Sequence, residues 1–325
     1  VKVTVTGGAG YIGSHAVREL VRAGHAVTVL DDLSHGHRAA VDPAARLVEG
    51  DLGDARALDR AMDGADAVVH FAGLLSVEDS VRDPASYYRT NVVKGIALLD
   101  AMARGGVPRI VFSSTCATYG DPVRVPMDED HPQRPINPYG ATKLAFERAL
   151  CDYAHAGGPR AVALRYFNAA GCHPEGGLGE DHRPEIHLIP RAVAAALGAA
   201  PGLRVNGDDY DTPDGTCVRD YIHVQDLARA HVAALAGPAE PFRAYNLGTG
   251  RGHSVRAVLD AVGRVVGRPV PAEVGPRRPG DPPTLVAAPE RARRELGFAA
   301  EWTDLDAIVE TAVRWARDHP RGFAA

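Results

Sequence analysis

Cysteine is scarce in this chain. Its 325 residues include four, Cys116, Cys151, Cys172 and Cys217, far apart and forming no CxxC. That speaks against a disulfide framework and leads us to expect buried free thiols in a reducing cytoplasm. A basic excess is missing too: Lys plus Arg total 36 against 41 Asp plus Glu, a formal net charge of −5. A dedicated nucleic-acid binder would carry the opposite balance. No stretch approaches ~18 consecutive apolar residues, so no membrane span is expected. There is no signal-peptide layout either, because the chain opens on the strand-like run Val1-Lys2-Val3-Thr4-Val5-Thr6. Internal repeats and low-complexity tails are absent. What remains is an average composition, 45% hydrophobic and 24% charged. This length suffices for one large domain or two coupled ones, with a core that needs neither disulfide nor metal.

The first half alternates strand and helix signals. Val1–Thr6, Ala26–Leu30, Arg46–Glu49, Ala67–Phe71, Arg109–Phe112 and Ala161–Tyr166 read as strands. Tyr11–Ala23, the stretch near Pro84–Arg104 and that near Pro138–Ala156 read as helices. Continuous apolar strands separated by helices predict an α/β fold, a doubly wound parallel sheet covered on both faces. After Asn168 the rhythm breaks. Gly171–Pro190 is rich in Gly, Pro, His and acids and reads as a long functional loop. Helices near Leu188–Leu197, Val224–Ala236, Val255–Gly267 and Leu305–Asp318 and a strand at Leu203–Val205 follow. The expected division is a nucleotide-binding domain over 1–170 and a smaller α/β substrate domain over 171–325, with segments around 217–250 able to pack back on the first.

Between the first strand and helix lies Thr6-Gly7-Gly8-Ala9-Gly10-Tyr11-Ile12-Gly13, which holds both GxGxxG and GxxGxxG. Glycine permits the tight turn, the approach of backbone to a pyrophosphate and close helix–strand packing, while the helix N-terminus offers N–H groups to the phosphates. Asp31 closes the second strand, eighteen residues after Gly13. A carboxylate there accepts from ribose hydroxyls and repels a 2′-phosphate, which predicts NAD rather than NADP. The cations His35, His37 and Arg38 nearby argue the other way. Asp51, in Gly50-Asp51-Leu52, is read either as facing adenine or as a helix N-cap.

Asn137-Pro138-Tyr139-Gly140-Ala141-Thr142-Lys143 contains YxxxK, which puts Tyr139 and Lys143 on one helix face. Asn137 suits the cap and Pro138 the first helical position. A free tyrosine, pKa ~10, is a poor base at neutral pH. A neighbouring ammonium and a positive nicotinamide would lower that value and make a general base for a hydroxyl proton. Thr115, at the strand end Ser113-Ser114-Thr115, could hydrogen-bond the reacting oxygen or merely serve a turn.

These motifs, in this order, resemble the extended short-chain dehydrogenase/reductases, and within them the UDP-glucose 4-epimerase family. The matching segments span almost the whole chain: TGGAGYIGSH (Thr6–His15), HFAGL (His70–Leu74), SSTCATYG (Ser113–Gly120), NPYGATK (Asn137–Lys143), LRYFNAAG (Leu164–Gly171), DGTCVRDYIHV (Asp214–Val224), YNLGTG (Tyr245–Gly250) and RRPGD (Arg277–Asp281). The resemblance implies a Rossmann-type domain holding NAD, a UDP-sugar substrate and a homodimer in the cytoplasm, with neither nucleic acid nor membrane as partner and no metal. It implies UDP-glucose/UDP-galactose interconversion by inversion at C4 through a transient 4-keto sugar. A related 4-epimerase for N-acetylhexosamine, pentose or uronate sugars, or a non-catalytic NAD sensor, is the alternative.

Carried over by motif, Tyr139 is the base, Lys143 its partner and Thr115 the hydroxyl donor to O4. The cofactor would be held by Gly7, Gly10, Tyr11, Ile12, Gly13, Asp31, Asp51, Leu52, Phe71, Ala72, Gly73, Asn91, Ser113, Tyr139, Lys143 and Tyr166. The UDP-sugar would be held by Thr115, Tyr139, Asn168, His187, Leu188, Asn206, Arg219, Arg278, Asp281 and Leu285. Arg219 and Arg278 would clamp the diphosphate, Asp281 a ribose, and Leu285 would gate the sugar pocket. Leu75 stands where many relatives carry a lysine on the cofactor, His187 where some carry asparagine, and Asn206 where some carry an aromatic.

Dehydratases of this superfamily place an Asp-Glu pair where this chain has Cys116-Ala117, which cannot do that proton chemistry. A metal hydrolase built on His173, His182, Glu185 and His187 lacks a recognised ligand spacing, so these residues read as solvated loop side chains.

Overall fold

The computed structural model describes residues 1–278 and 280–323. Pro279, inside the Arg277–Asp281 motif, lies outside the described residues, as do the last two positions. The first half folds as β1 (Lys2–Thr6), α1 (Tyr11–Arg22), β2 (Ala26–Asp31), β3 (Arg46–Glu49), α2 (Ala55–Met62) and β4 (Ala67–His70). It continues with α3 (Val77–Arg82), α4 (Pro84–Tyr88), α5 (Lys94–Gly105), β5 (Arg109–Thr115), α6 (Pro138–His155) and β6 (Arg160–Tyr166). Between α4 and α5 the helix widens into a π-type turn at Arg89–Val93, a local form frequent at functional sites.

The second half runs β7 (Asn168–Ala170), α7 (Leu188–Leu197), β8 (Leu203–Asn206), β9 (Val218–His223), α8 (Val224–Leu235) and β10 (Phe242–Leu247). It ends with β11 (Gly252–Ser254), α9 (Val255–Val266), β12 (Ala272–Gly275), β13 (Thr284–Leu285), α10 (Glu290–Leu296) and α11 (Leu305–Asp318). Seven parallel strands stand in the order β10-β6-β5-β4-β1-β2-β3. The order reverses between β1 and β4, and the carboxyl ends of strands at such a switch point are where doubly wound sheets bind ligands.

Apolar faces explain the layers. Leu58, Met62, Leu98, Leu99, Met102, Phe146 and Leu150 from α2, α5 and α6 cover one side of the sheet. Val17 and Leu20 of α1 and Leu227, Ala230 and Ala234 of α8 cover the other. Each of the Val, Leu, Met and Phe side chains among them contributes about 1.5–3 kcal/mol on burial. A separate core joins Ile189 and Val193 of α7, Val258 and Val262 of α9, and Ile308, Val309 and Trp315 of α11. The helix signals hold to within a residue or two at their ends. β10 and α8 return to the first sheet after the chain has entered the second core, so residue 170 is not a single crossing point. The short strands β7, β9, β11 and β13 carried no apolar run long enough to announce them.

Candidate active site

The loop after β1 shows why glycine is required. Gly7 has φ +72°, and a Cβ on it would stand 2.5 Å from the Ala72 nitrogen; one on Gly13 would stand 2.0 Å from the Gly7 carbonyl oxygen. The backbone thus leaves a cradle at the α1 N-terminus, with Gly10 as its N-cap. Asp31 is buried, and burial raises its pKa. Its carboxylate accepts from the N–H groups of Ala9 and Leu33, both at 2.9 Å. It therefore organises both the glycine loop and the turn after β2, where Leu33 is held at φ +58°. The neighbouring cations are engaged: Arg38 pairs with Glu49, and His37 lies 3.3 Å from Asp181. Tyr11 donates to the Gly171 carbonyl at 2.5 Å, tying this loop to the second half of the chain.

Asp51 faces Lys94 at 2.5 Å and accepts from Gly53 N–H at 2.7 Å. Asp54 caps α2, which removes the capping alternative for Asp51. Leu52 is buried in the core under α2 and α5, and Ile12 is partly buried against the opposite face of the sheet. Phe71 and Ala72 donate backbone N–H bonds to the Thr6 carbonyl, bringing the chain after β4 against the glycine loop. Asn91, in the wide turn, holds that chain by accepting from Leu74 N–H at 2.8 Å and donating to Leu74 O at 3.0 Å. A Cβ on Gly73 would lie 2.9 Å from Asn91 Oδ1 and 3.7 Å from Lys143 Nζ. Leu75, where a lysine was noted as missing, is largely exposed.

α6 starts as expected, with Asn137 Oδ1 accepting from Gly140 N–H at 2.8 Å and Pro138 in its first turn. Lys143 is buried; its Nζ donates to the Ser113 carbonyl at 3.1 Å and lies 6.0 Å from the Tyr139 ring centre. Burial lowers the lysine to about 8, with Glu147 acting in the opposite direction. The lowering of Tyr139 expected beside an ammonium and a positive nicotinamide is not met by the protein's own groups alone. Burial pushes the phenol well above its ordinary value, Tyr166 adds to the rise, and the hydrogen bond with Thr115 opposes it. Lys143 is not among the causes. A cation bound beside the phenol would act in the lowering direction. Thr115 is buried and also accepts from Ala117 N–H at 3.1 Å, so it serves the turn as well as facing Tyr139. Ser113 and Tyr166 share a hydroxyl hydrogen bond of 2.7 Å.

Behind this face lies a network the sequence did not single out. Glu147, one turn beyond Lys143, takes Arg165 at 2.6 Å and the hydroxyl of Ser114. Arg165 donates to Tyr119 Oη at 3.0 Å, and Tyr119 donates to Asn246 at 2.6 Å. The available signal was the i,i+4 spacing of Lys143 and Glu147 on a helix already assigned to the site.

The second set of residues converges in part. Asp281 takes Arg219 at 2.5 Å through one oxygen and Arg278 at 3.1 Å through the other. Leu285 pairs with Arg219 across β13 and β9 and packs on the cluster of Tyr119, Met127, Phe167 and Ala287, against which Cys116 also packs. Asn168 opens β7, opposite Tyr221. Asn206 ends β8, opposite Gly275. His187 caps α7 ahead of Leu188, and Leu188 packs on the second core. The expectation of solvated loop histidines fails for His173, which is buried, and for His182, which closes with the half-buried His187 around Glu180. His173 is elsewhere, stacked on His15 at 6.0 Å.

A dinucleotide cradle at the sheet's switch point, with a half-buried Tyr139 and a buried Lys143 one strand away, defines an NAD-dependent enzyme that works on a hydroxyl-bearing carbon. The chain matches the NAD dependent epimerase/dehydratase family over residues 3–248 and belongs to it. More particularly, it is 48% identical over 325 residues to a UDP-glucose 4-epimerase of Lacticaseibacillus casei, covering 99% of this chain and 98% of the relative. A UDP-glucose 4-epimerase of Azospirillum brasilense is 51% identical over 320 residues, 97% of this chain and 92% of the relative. Among solved structures, UDP-glucose 4-epimerase from Brucella ovis in complex with NAD superposes with a TM-score of 0.93 at 52% identity, covering 96% and 97% of the two chains. The enzyme from Bifidobacterium longum with NAD+ and UDP gives 0.94 at 39% identity, covering 99% and 100%.

Proposed function

We propose that the chain is a UDP-glucose 4-epimerase, interconverting UDP-glucose and UDP-galactose with NAD. The observation that carries this reading is the set of buried Thr115 and Lys143 with half-buried Tyr139 at the mouth of a glycine cradle, in a chain about half identical to enzymes of that name. The cradle fits a dinucleotide because the space a Cβ would fill at Gly7 and Gly13 is taken by backbone. Gly7, Gly10, Gly13 and the α1 N-terminus would hold its pyrophosphate, Asp31 a ribose and Lys143 the nicotinamide end. When bound, NAD supplies a hydride acceptor that gives the hydride back.

The protein's own part is proton handling and restraint. Tyr139 takes the proton of the sugar's 4-hydroxyl, and Thr115 hydrogen-bonds the same oxygen. Lys143, fixed by Ser113, would act together with the positive nicotinamide of bound cofactor to favour the phenolate. Arg219 and Arg278 hold the diphosphate through their planar forks, so the 4-keto sugar can turn over without leaving.

We place the enzyme in the cytoplasm as a homodimer. Four free thiols suit a reducing compartment. Val77, Val81, Tyr88 and Val93 present an exposed apolar face along α3 to α5, suited to an isologous helix pairing. Light scattering should give about twice the chain mass. The decisive experiment is product analysis with UDP-glucose and UDP-galactose. Purified protein should interconvert them without added cofactor, and Tyr139→Phe should lose ~10²–10⁴-fold in kcat while still releasing NAD on denaturation. Near-parental turnover by that variant would sink the assignment.

A further inference from the structure

Four side chains of the segment that enters α7 meet at one point. Glu180, His182, Glu185 and His187 each offer a donor atom, and the four atoms lie within 4.8 Å of one another. Both histidines turn the same ring nitrogen inward. His182 Nδ1 stands 3.2 Å from Glu180 and 3.6 Å from Glu185, and His187 Nδ1 stands 3.8 Å from Glu185 and in direct contact with Glu180. Charge-assisted hydrogen bonds are ~2.7–2.9 Å long, so three of these four separations are too long to be such bonds. They lie around the edge of a coordination tetrahedron, which for bonds of 2.0–2.1 Å is about 3.3–3.4 Å: the Glu180 separation is slightly shorter and the two Glu185 separations slightly longer. Nδ1 of His182 is buried and has no hydrogen-bond partner.

The donors are also held from outside. Glu185 accepts from the N–H groups of Ile186 at 2.8 Å and His187 at 2.9 Å. The Glu180 carbonyl accepts from Trp315 Nε1 at 3.1 Å, and Gly179 leaves room for that indole, since a Cβ there would stand 2.1 Å from it. The Tyr11 ring lies edge-on to His182 at 6.1 Å. Orientation of this kind by outer groups is what metal ligands need.

We propose that Glu180, His182, Glu185 and His187 form a binding site for one divalent transition-metal ion, with zinc the fitting chemistry: two imidazole nitrogens and two carboxylate oxygens in a closed tetrahedral set. The ion is structural. It replaces the protons on the two imidazoles and clips the loop 171–187 to the start of α7, beside Tyr11 of the glycine loop. Nε2 of His187 has no partner among the described residues and stays available to the nucleotide site. The site does not depend on the reaction proposed above.

The test uses the purified full chain and does not read activity. After treatment with chelator and dialysis, zinc titrated against a chromogenic competitor should bind at about one per chain with a Kd below about 1 μM, and added zinc should raise the Tm. Cobalt(II) should give the intense visible absorption of a tetrahedral site. His182→Asn and Glu185→Gln should each weaken zinc by more than ~10²-fold, beyond the 10–100-fold typical of losing an outer-shell partner. Absence of stoichiometric zinc and of the cobalt spectrum in the parent protein would overturn the proposal, whether or not the variants fold. So would variants that are folded by circular dichroism and bind zinc as the parent does.

Discussion

Two arginine–carboxylate constellations sit on either side of the site, and they are built for different work. In the first sheet, Glu147 and Arg165 are both about 95% or more buried. Every neighbour is engaged: Ser114, Gln133 and Tyr119 take their remaining hydrogen-bonding capacity. On β9 and the turn before β13, Asp281 is shared by Arg219, which is 11% exposed, and Arg278, which is 61% exposed. One carboxylate serves two guanidinium groups there, and one of them reaches water. A buried, saturated pair holds a helix to a strand; a half-neutralised pair at an edge keeps cationic capacity for an anion. The same chemistry thus fixes α6 in one region and, in the other, leaves the guanidinium groups proposed above as the diphosphate clamp.

The contrast is broken most severely at Glu147. Glu147→Gln leaves Arg165 with an unbalanced charge in the interior, which should cost about 3–5 kcal/mol of stability, read from urea unfolding. Replacing both partners by methionine should recover most of that loss; no recovery would mean that the pair does more than balance charge. Next in size is Arg219→Ala. Losing a charged hydrogen-bond donor to a diphosphate is worth about 1.5–3 kcal/mol. KM for UDP-glucose should rise ~10–150-fold, with the Tm nearly unchanged. A large Tm loss with unaltered KM would reverse the roles assigned to the two arginine sites.

A third effect separates the regions by pH. Burial holds His15, His70 and His223 at about 3 and His231 at about 4. A folded value below the unfolded one gives stability that is complete above about pH 6.5 and is lost as pH falls toward 3–4. Each of these histidines should therefore take about 1.4 kcal/mol per pH unit across that window. Unfolding followed from pH 7 to pH 4.5 should show a steep loss, and His231→Gln should flatten it. An equal slope in the variant would exclude His231 as a contributor. The smallest effect concerns Leu285, packed on the Tyr119, Met127 and Phe167 cluster. UDP-N-acetylglucosamine should be epimerised weakly. Leu285→Ser should raise, and Leu285→Tyr lower, its kcat/KM relative to UDP-glucose, within the ~10–200-fold that one apolar steric difference commands. Identical ratios in all three proteins would remove Leu285 as the gate.

Local chemistry made part of this protein legible from its residues alone. Gly7 and Gly13 are demanded by a turn that no side chain fits, Asn137-Pro138 starts a helix by capping, and Tyr139 and Lys143 share a face through the helical repeat. These features act over a few residues, so sequence determined them: the doubly wound sheet, the cradle and the catalytic helix. What it left open depended on groups brought together from far apart. Glu147 meets Arg165 across 18 positions, and Arg219 meets Asp281 across 62. β10 completes the first sheet only after the chain has built part of a second core. The direction of the Tyr139 shift was likewise a tertiary outcome, because desolvation of the phenol, with Tyr166 adding to it, is set by packing against distant residues. The histidine loop shows the limit best. Its residues are near one another in sequence, yet only the folding of that loop against Trp315 and Tyr11 closes His182, Glu185 and His187 around Glu180 and leaves His173 outside.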